Sequence, residues 1–132
     1  MDSGQAEVPL LSEQDVVLAR QLVRKKAQEA GLSLVDQTKL VTAASELARN
    51  TVIYGGGGKM TLQMLTEGRR GVRLAFKDEG PGIPNLDLAL KDGWTSGSGL
   101  GMGLSGSKRL VNEFDLVTKV GEGTCVTIAH WR

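Results

Sequence analysis

Apolar residues recur at helical spacing through the first 53 positions and then switch to strict alternation. Val16, Leu18, Ala19, Leu22, Val23 and Ala27 follow Ser12 with a period near 3.6 until Gly31. Ser12, with Asp15 three positions on, approximates a capping box, so the pattern predicts a helix over about 13–30. Ser33 and Asp36 repeat the signature, and Leu40, Ala44, Leu47 and Thr51 extend a second helix over about 34–53, ending at Tyr54 and the glycines. From there Met60, Leu62 and Met64 alternate with Thr61, Gln63 and Leu65, and Val72, Leu74 and Phe76 alternate with Arg73 and Lys77. These predict two antiparallel strands joined at Gly68–Gly71. A third helix is predicted from Gly101 or Gly103 to about Glu113, then a hairpin of Leu116–Val120 and Thr124–Ala129 around Gly121-Glu122-Gly123. Val8, Leu10 and Leu11 suggest a short first strand, with residues 1–6 loose. Helices followed by mostly antiparallel strands predict an α+β fold, a two-layer sandwich with helices on one face of a mixed, mostly antiparallel sheet.

Composition narrows the function classes. The 132 residues suit a single domain, and about two-thirds of the unfolded chain's surface can be buried at that size. Sixteen Lys and Arg against 15 Asp and Glu leave a charge of +1, which lacks the one-signed field of a nucleic-acid binder or polybasic membrane anchor. With Cys125 and His130 as the single Cys and His, there is no internal disulfide and too little for a zinc site or a Cys/His nucleophile. Neither a secretory leader nor a long apolar run is evident, so a cytoplasmic protein is expected. Glycine is the anomaly at 18 residues, half of them in two runs, Gly55–Gly58 and Gly97–Gly106. Such clustering marks local loop chemistry. His130 reads as a surface residue, Cys125 as a small core or edge residue, and the basic cluster Arg20, Arg24, Lys25 and Lys26 as a solvated helix face.

Three clusters have chemical potential. Glu46 and Asn50 lie one turn apart along the margin of the second helix. A carboxylate and a carboxamide so placed offer a base and a hard oxygen ligand for Mg²⁺, although the polar edge of any amphipathic helix has the same pattern. Asp78, at the end of a strand and followed by Gly80 and Gly82, has acceptors for an exocyclic amine beside glycines that admit a flat ring; Asp-Glu-Gly-Pro-Gly is equally good turn chemistry. Gly97 to Leu104 alternates glycine with Ser, Leu and Met and leads into a helix, as a phosphate cradle or, alternatively, a flexible linker would. The segment 84–100 is a long connection of the kind that is usually functional. Trp94 within it is a candidate ligand or partner contact.

In their order along the chain, Glu46-Leu47-Ala48-Arg49-Asn50, Asp78-Glu79-Gly80-Pro81-Gly82-Ile83 and Gly99-Leu100-Gly101-Met102-Gly103-Leu104 resemble the N, G1 and G2 boxes of the GHKL ATPase and kinase superfamily. The wording of those boxes, Lys108-Arg109-Leu110, and the ending Val120-Gly121-Glu122-Gly123-Thr124 look most like RsbT-type switch serine/threonine kinases of the stressosome. The resemblance implies a Bergerat ATP-binding fold in one domain, 1–132, with 84–100 as the ATP lid. It implies Glu46 as catalytic base, Asn50 as Mg²⁺ ligand, Asp78 as acceptor for the adenine amine, and Thr124 as its support. Gly80, Gly82 and Ile83 would line the base pocket; Gly99, Leu100, Gly101, Met102, Gly103, Leu104 and Lys108 would serve the phosphates. Ser98 and Gly99 stand where some anti-sigma kinases of this group carry a basic residue facing the terminal phosphate, and Lys108 is the candidate to supply that charge. The implied cofactors are ATP and Mg²⁺. The implied partners are STAS-domain substrates (RsbS/RsbR-like) and a PP2C-type phosphatase (RsbU-like), with no nucleic acid and no membrane. The rival readings are an anti-sigma factor that uses ATP only to gate binding and a detached histidine-kinase ATPase domain. The first helix lacks the phosphoacceptor His that the latter needs.

Overall fold

The computed structural model describes residues 5–83 and 104–132. Strand β1 (Gln5–Leu10) is followed by helices α1 (Glu13–Glu29) and α2 (Leu34–Ile53), then β2 (Gly58–Leu65) and β3 (Gly71–Asp78). Helix α3 (Leu104–Leu110), β4 (Glu113–Lys119) and β5 (Gly123–Trp131) complete the order. The five strands form one sheet, β1-β2-β3-β5-β4, and each of the four pairings is antiparallel.

Both long helices start where a side chain satisfies a free backbone N–H. Ser12 Oγ accepts from Asp15 N at 3.3 Å, and Ser33 Oγ accepts from Asp36 N at 3.1 Å. The helices bury Ala19, Val23 and Ala27 on α1 and Leu40, Ala44, Leu47 and Thr51 on α2. The alanines among the buried residues, Ala19 and Ala27 on α1 and Ala43, Ala44 and Ala48 on α2, let the helices lie close to each other and to the sheet. Opposite them, alternation places Met60 and Leu62 on β2, Val72, Leu74 and Phe76 on β3, and Val126 and Ile128 on β5 in the core. Leu18, expected on the buried side of α1, is 56% exposed because Ala19 takes the inward position.

Several boundaries differ from those expected. β1 begins at Gln5, paired to Gln63, so residues 5 and 6 belong to the sheet; Leu11 lies beyond the strand and is exposed. α3 ends at Leu110, three residues before Glu113, because Glu113 is already paired with Ala129. β4 therefore starts earlier than Leu116: Phe114 and Leu116 pack against the core, while exposed Glu113 and Asp115 alternate with them. β5 likewise extends beyond Ala129 to Trp131.

His130 corrects a sequence expectation more sharply. It is buried, with only 5% exposed, and its Nε2 lies 2.9 Å from Asp36 Oδ1 on the first turn of α2. Asn112 N donates to His130 Nδ1 at 3.2 Å, which fixes the remaining ring proton on Nε2, where it donates to Asp36. That hydrogen bond, with help from Ser33, holds the Asp36 carboxyl below its ordinary value. Cys125 is half-buried on the outward side of β5. Of the basic cluster, Arg20 and Lys25 are exposed, Lys26 pairs with Glu29, and Arg24 reaches Gln37 Oε1 at 3.5 Å.

Candidate functional site

The register that aligns the core also assembles a site at one end of the sheet. Asp78 closes β3 opposite Thr124 of β5, and Thr124 lies opposite Thr118 of β4. All three share the face turned toward the helices, in line with Phe76, Val126 and Leu116. Above them run the end of α2 and the start of α3. The resulting pocket is lined by Leu47, Asn50, Phe76, Asp78, Ile83 and Thr124, with Thr51, Tyr54, Gly55, Gly82, Leu104 and Val126 around them. Its walls are mostly apolar and its polar groups few, the composition of a small-molecule site in which a few polar groups fix orientation.

Asp78 is held rigidly. Its Oδ1 accepts from Gly80 N at 2.9 Å and Thr124 N at 3.3 Å. Oδ2 takes no hydrogen bond among the described residues and lies beside Gly55, where a Cβ would come within 2.6 Å of it. Gly55 must therefore be glycine for the end of α2 to close against this carboxylate. The same holds at Gly82, whose φ of +77° is strained for any other residue and whose Cβ would sit 2.3 Å from Lys119 O. Gly82 thus lets the segment after β3 fold against the β4–β5 turn, where Gly121 N donates to Pro81 O at 2.8 Å.

Asn50 reaches the pocket from α2, and its Nδ2 is buried without a hydrogen-bond partner among the described residues. A buried, unpaired amide costs free energy unless something binds there. Because the two ends of a carboxamide exchange on a half-turn, the same position can present Oδ1 to a cation. Glu46 lies one turn earlier, half-exposed and outside the residues that line the pocket. Lys108 is exposed on α3 and lines a separate depression with Val111, Asn112 and Phe114. Gly80 borders the site through its bond to Asp78, and Leu104 and Ile83 form part of its wall. Gly99, Leu100, Gly101, Met102 and Gly103, together with Ser98, Trp94 and the segment 84–100, lie outside the described residues.

Sequence reasoning missed Thr118, Thr51 and Tyr54. Thr118 was one polar residue in an alternating strand, and only the register places it against Thr124. Gly55 had a signal in the glycine run directly after the second helix, but its contact with Asp78 lies across 23 positions.

Residues 35–132 match the family described as histidine kinase-, DNA gyrase B-, and HSP90-like ATPase. Serine/threonine-protein kinase RsbT of Bacillus subtilis (strain 168) is 42% identical over 130 residues, 98% of each chain. Anti-sigma F factor of Anoxybacillus flavithermus (strain DSM 21510 / WK1) is 29% identical over 122 residues, covering 87% of this chain and 83% of that protein. Among solved structures, a mycobacterial sensor histidine kinase, MprB, shares the fold with a TM-score of 0.57 at 17% identity, over 96% of this chain and 97% of that one. No helix among the described residues is long and apolar enough to cross a membrane. The chain belongs to the histidine kinase-, gyrase B- and HSP90-like (GHKL) ATP-binding family and, within it, groups with the serine/threonine-protein kinase RsbT.

Proposed function

We propose that this protein is an ATP- and Mg²⁺-dependent kinase that phosphorylates a Ser or Thr of a STAS-domain protein and then exchanges that partner for a PP2C-type phosphatase. The observation that carries the reading is a fixed strand-end carboxylate, Asp78, facing one mostly apolar pocket together with Asn50, whose buried Nδ2 has no hydrogen-bond partner among the described residues. These residues fit the nucleotide. Asp78 Oδ2 accepts from the adenine amine, Phe76, Ile83 and Val126 flank the ring, and Asn50 is the residue that would hold the cation. Mg²⁺, when bound, neutralises charge on the terminal phosphates. Gly99, Gly101 and Gly103 offer backbone N–H groups for those phosphates, with Leu100 and Met102 between them, and Lys108 is the cation proposed to serve them from α3.

Glu46 accepts the proton of the attacking hydroxyl. The new bond joins that oxygen to the γ-phosphorus as the bond to the β–γ bridging oxygen breaks, and ADP leaves. Half-exposed and one turn from Asn50, Glu46 is open to an incoming protein side chain while staying next to the cation ligand. Phosphorylation adds charge to the partner surface and thereby weakens the complex, which frees the kinase for its second partner.

Similarity to an anti-sigma F factor supports a second reading, in which ATP only gates capture of a sigma factor or STAS antagonist. Incubation with γ-labelled Mg-ATP and a panel of STAS-domain proteins separates the two. Label on one Ser or Thr, with the labelled protein released and a PP2C-type phosphatase then retained on a pull-down, is the expected result. Tight ATP binding with no transfer to any member would favour the gated binder.

A further inference from the structure

Beyond the residues assigned above stands Thr118, whose hydroxyl is the meeting point of three chain segments. Thr118 Oγ1 lies 2.9 Å from Ile83 N, 3.3 Å from Gly123 O and 2.9 Å from Thr124 Oγ1. A hydroxyl has one proton and two lone pairs. Ile83 N is necessarily a donor and Gly123 O necessarily an acceptor, so Thr118 accepts from the first and donates to the second. With the Thr118 proton on Gly123 O, its remaining lone pair accepts, and the proton of Thr124 points at Thr118. Thr124 consequently turns lone pairs, and no proton, toward the pocket that it lines. Beside it, Asp78 Oδ2 is also an acceptor.

We propose that Thr118 sharpens nucleotide specificity by holding Thr124 as a second acceptor beside Asp78 Oδ2, so that the base pocket favours 6-amino over 6-oxo purines more strongly than Asp78 alone would. The proposal rests on the nucleotide reading of this pocket. A 6-oxo purine presents an acceptor to Asp78 Oδ2 and Thr124 Oγ1, both acceptors, and unpaired buried polar groups discriminate strongly. Without the Thr118 hydroxyl, Thr124 is free to rotate and donate, and the Ile83 end of the glycine segment loses its tether. Thr118 touches no ligand in this account; it acts through Thr124 and is a positioning residue.

Calorimetric titration of ATP and of inosine triphosphate into the full chain tests this in wild type, Thr118→Val and Thr118→Ser. Valine preserves shape and suits a strand, while serine restores the hydroxyl. The expected result is an ATP preference that falls about tenfold in Thr118→Val and stays at the wild-type ratio in Thr118→Ser. An unchanged ratio in a folded Thr118→Val protein overturns the proposal, as does a lost preference in Thr118→Ser. Should Thr118→Val fail to fold, hydrogen exchange of the unliganded wild type decides: the Ile83 amide is expected to be protected, and exchange at the unprotected rate contradicts the Thr118 bond. Wild-type protein that binds neither nucleotide would instead overturn the site reading itself, an outcome distinct from binding without discrimination.

Discussion

Asp78 shows how much of the site a single residue decides. Its Oδ1 is committed to two backbone donors, which leaves Oδ2 as the atom the proposed reading assigns to the adenine amine. In Asp78→Asn the amide oxygen keeps the two backbone bonds, so the NH₂ group takes the place of Oδ2 and meets the adenine amine donor to donor. We expect the variant to fold normally and to bind ATP at least tenfold more weakly by calorimetry. Unchanged affinity would remove Asp78 from the base pocket. Gly82 decides a backbone path instead. With φ at +77° and Lys119 O 2.3 Å from a would-be Cβ, Gly82→Ala should cost about 2 kcal/mol in denaturant unfolding and weaken ATP binding as well. Both residues were legible in the sequence as Asp-x-Gly-x-Gly at a strand end. Thr118 and His130 were not, because their meaning comes from partners brought near by the sheet register and by the packing of α2, 94 positions away for Asp36.

Elements are tied to one another by few but specific polar contacts. Asp36 serves α2 twice: its N–H caps onto Ser33 Oγ, and its carboxylate anchors the helix start to His130 on β5. Asn112 then joins the turn after α3 to the same strand, through His130 Nδ1 and through Trp131 N, which donates to Asn112 Oδ1 at 2.8 Å. The hydrogen bond from His130 favours ionised Asp36 in the folded protein, so the group binds protons less readily there than when unfolded. Its stabilisation is complete above the ordinary value of 3.8 and is lost as pH falls through the lower folded value. Thermal melts should therefore show wild type losing stability below that point more steeply than Asp36→Asn, which should itself be about 1 kcal/mol less stable at neutral pH. Parallel pH profiles would contradict the coupling. In α3, no atom of the described residues lies within 4 Å of a Cβ built on Gly106, so Gly106→Ala should raise stability by about 0.5–1 kcal/mol in chemical denaturation. The helix starts at Glu13 and Leu34 were readable from Ser-x-x-Asp, a local signal. The end of α3 was not, since the ladder to β5 claims Glu113 before the helix can use it.

At the scale of the molecule, a helical layer and a five-stranded antiparallel sheet enclose one core, and the pocket opens where the core meets the ends of β3, β4 and β5. This placement explains the site's mixed character: its walls are core residues, and its polar groups come from strand ends and the last turns of α2. The layer architecture could be read from the change of apolar period after residue 54, while strand order, in which β5 inserts between β3 and β4, depends on pairings that no local pattern encodes. On the proposed reading the α2 margin performs chemistry and does not only hold a nucleotide. Glu46→Ala separates these two roles, with ATP affinity by calorimetry and γ-phosphate transfer to a STAS-domain protein measured on the same preparation. Affinity within a fewfold of wild type together with transfer reduced by about 10² or more is the predicted result. Transfer at the wild-type rate would contradict it.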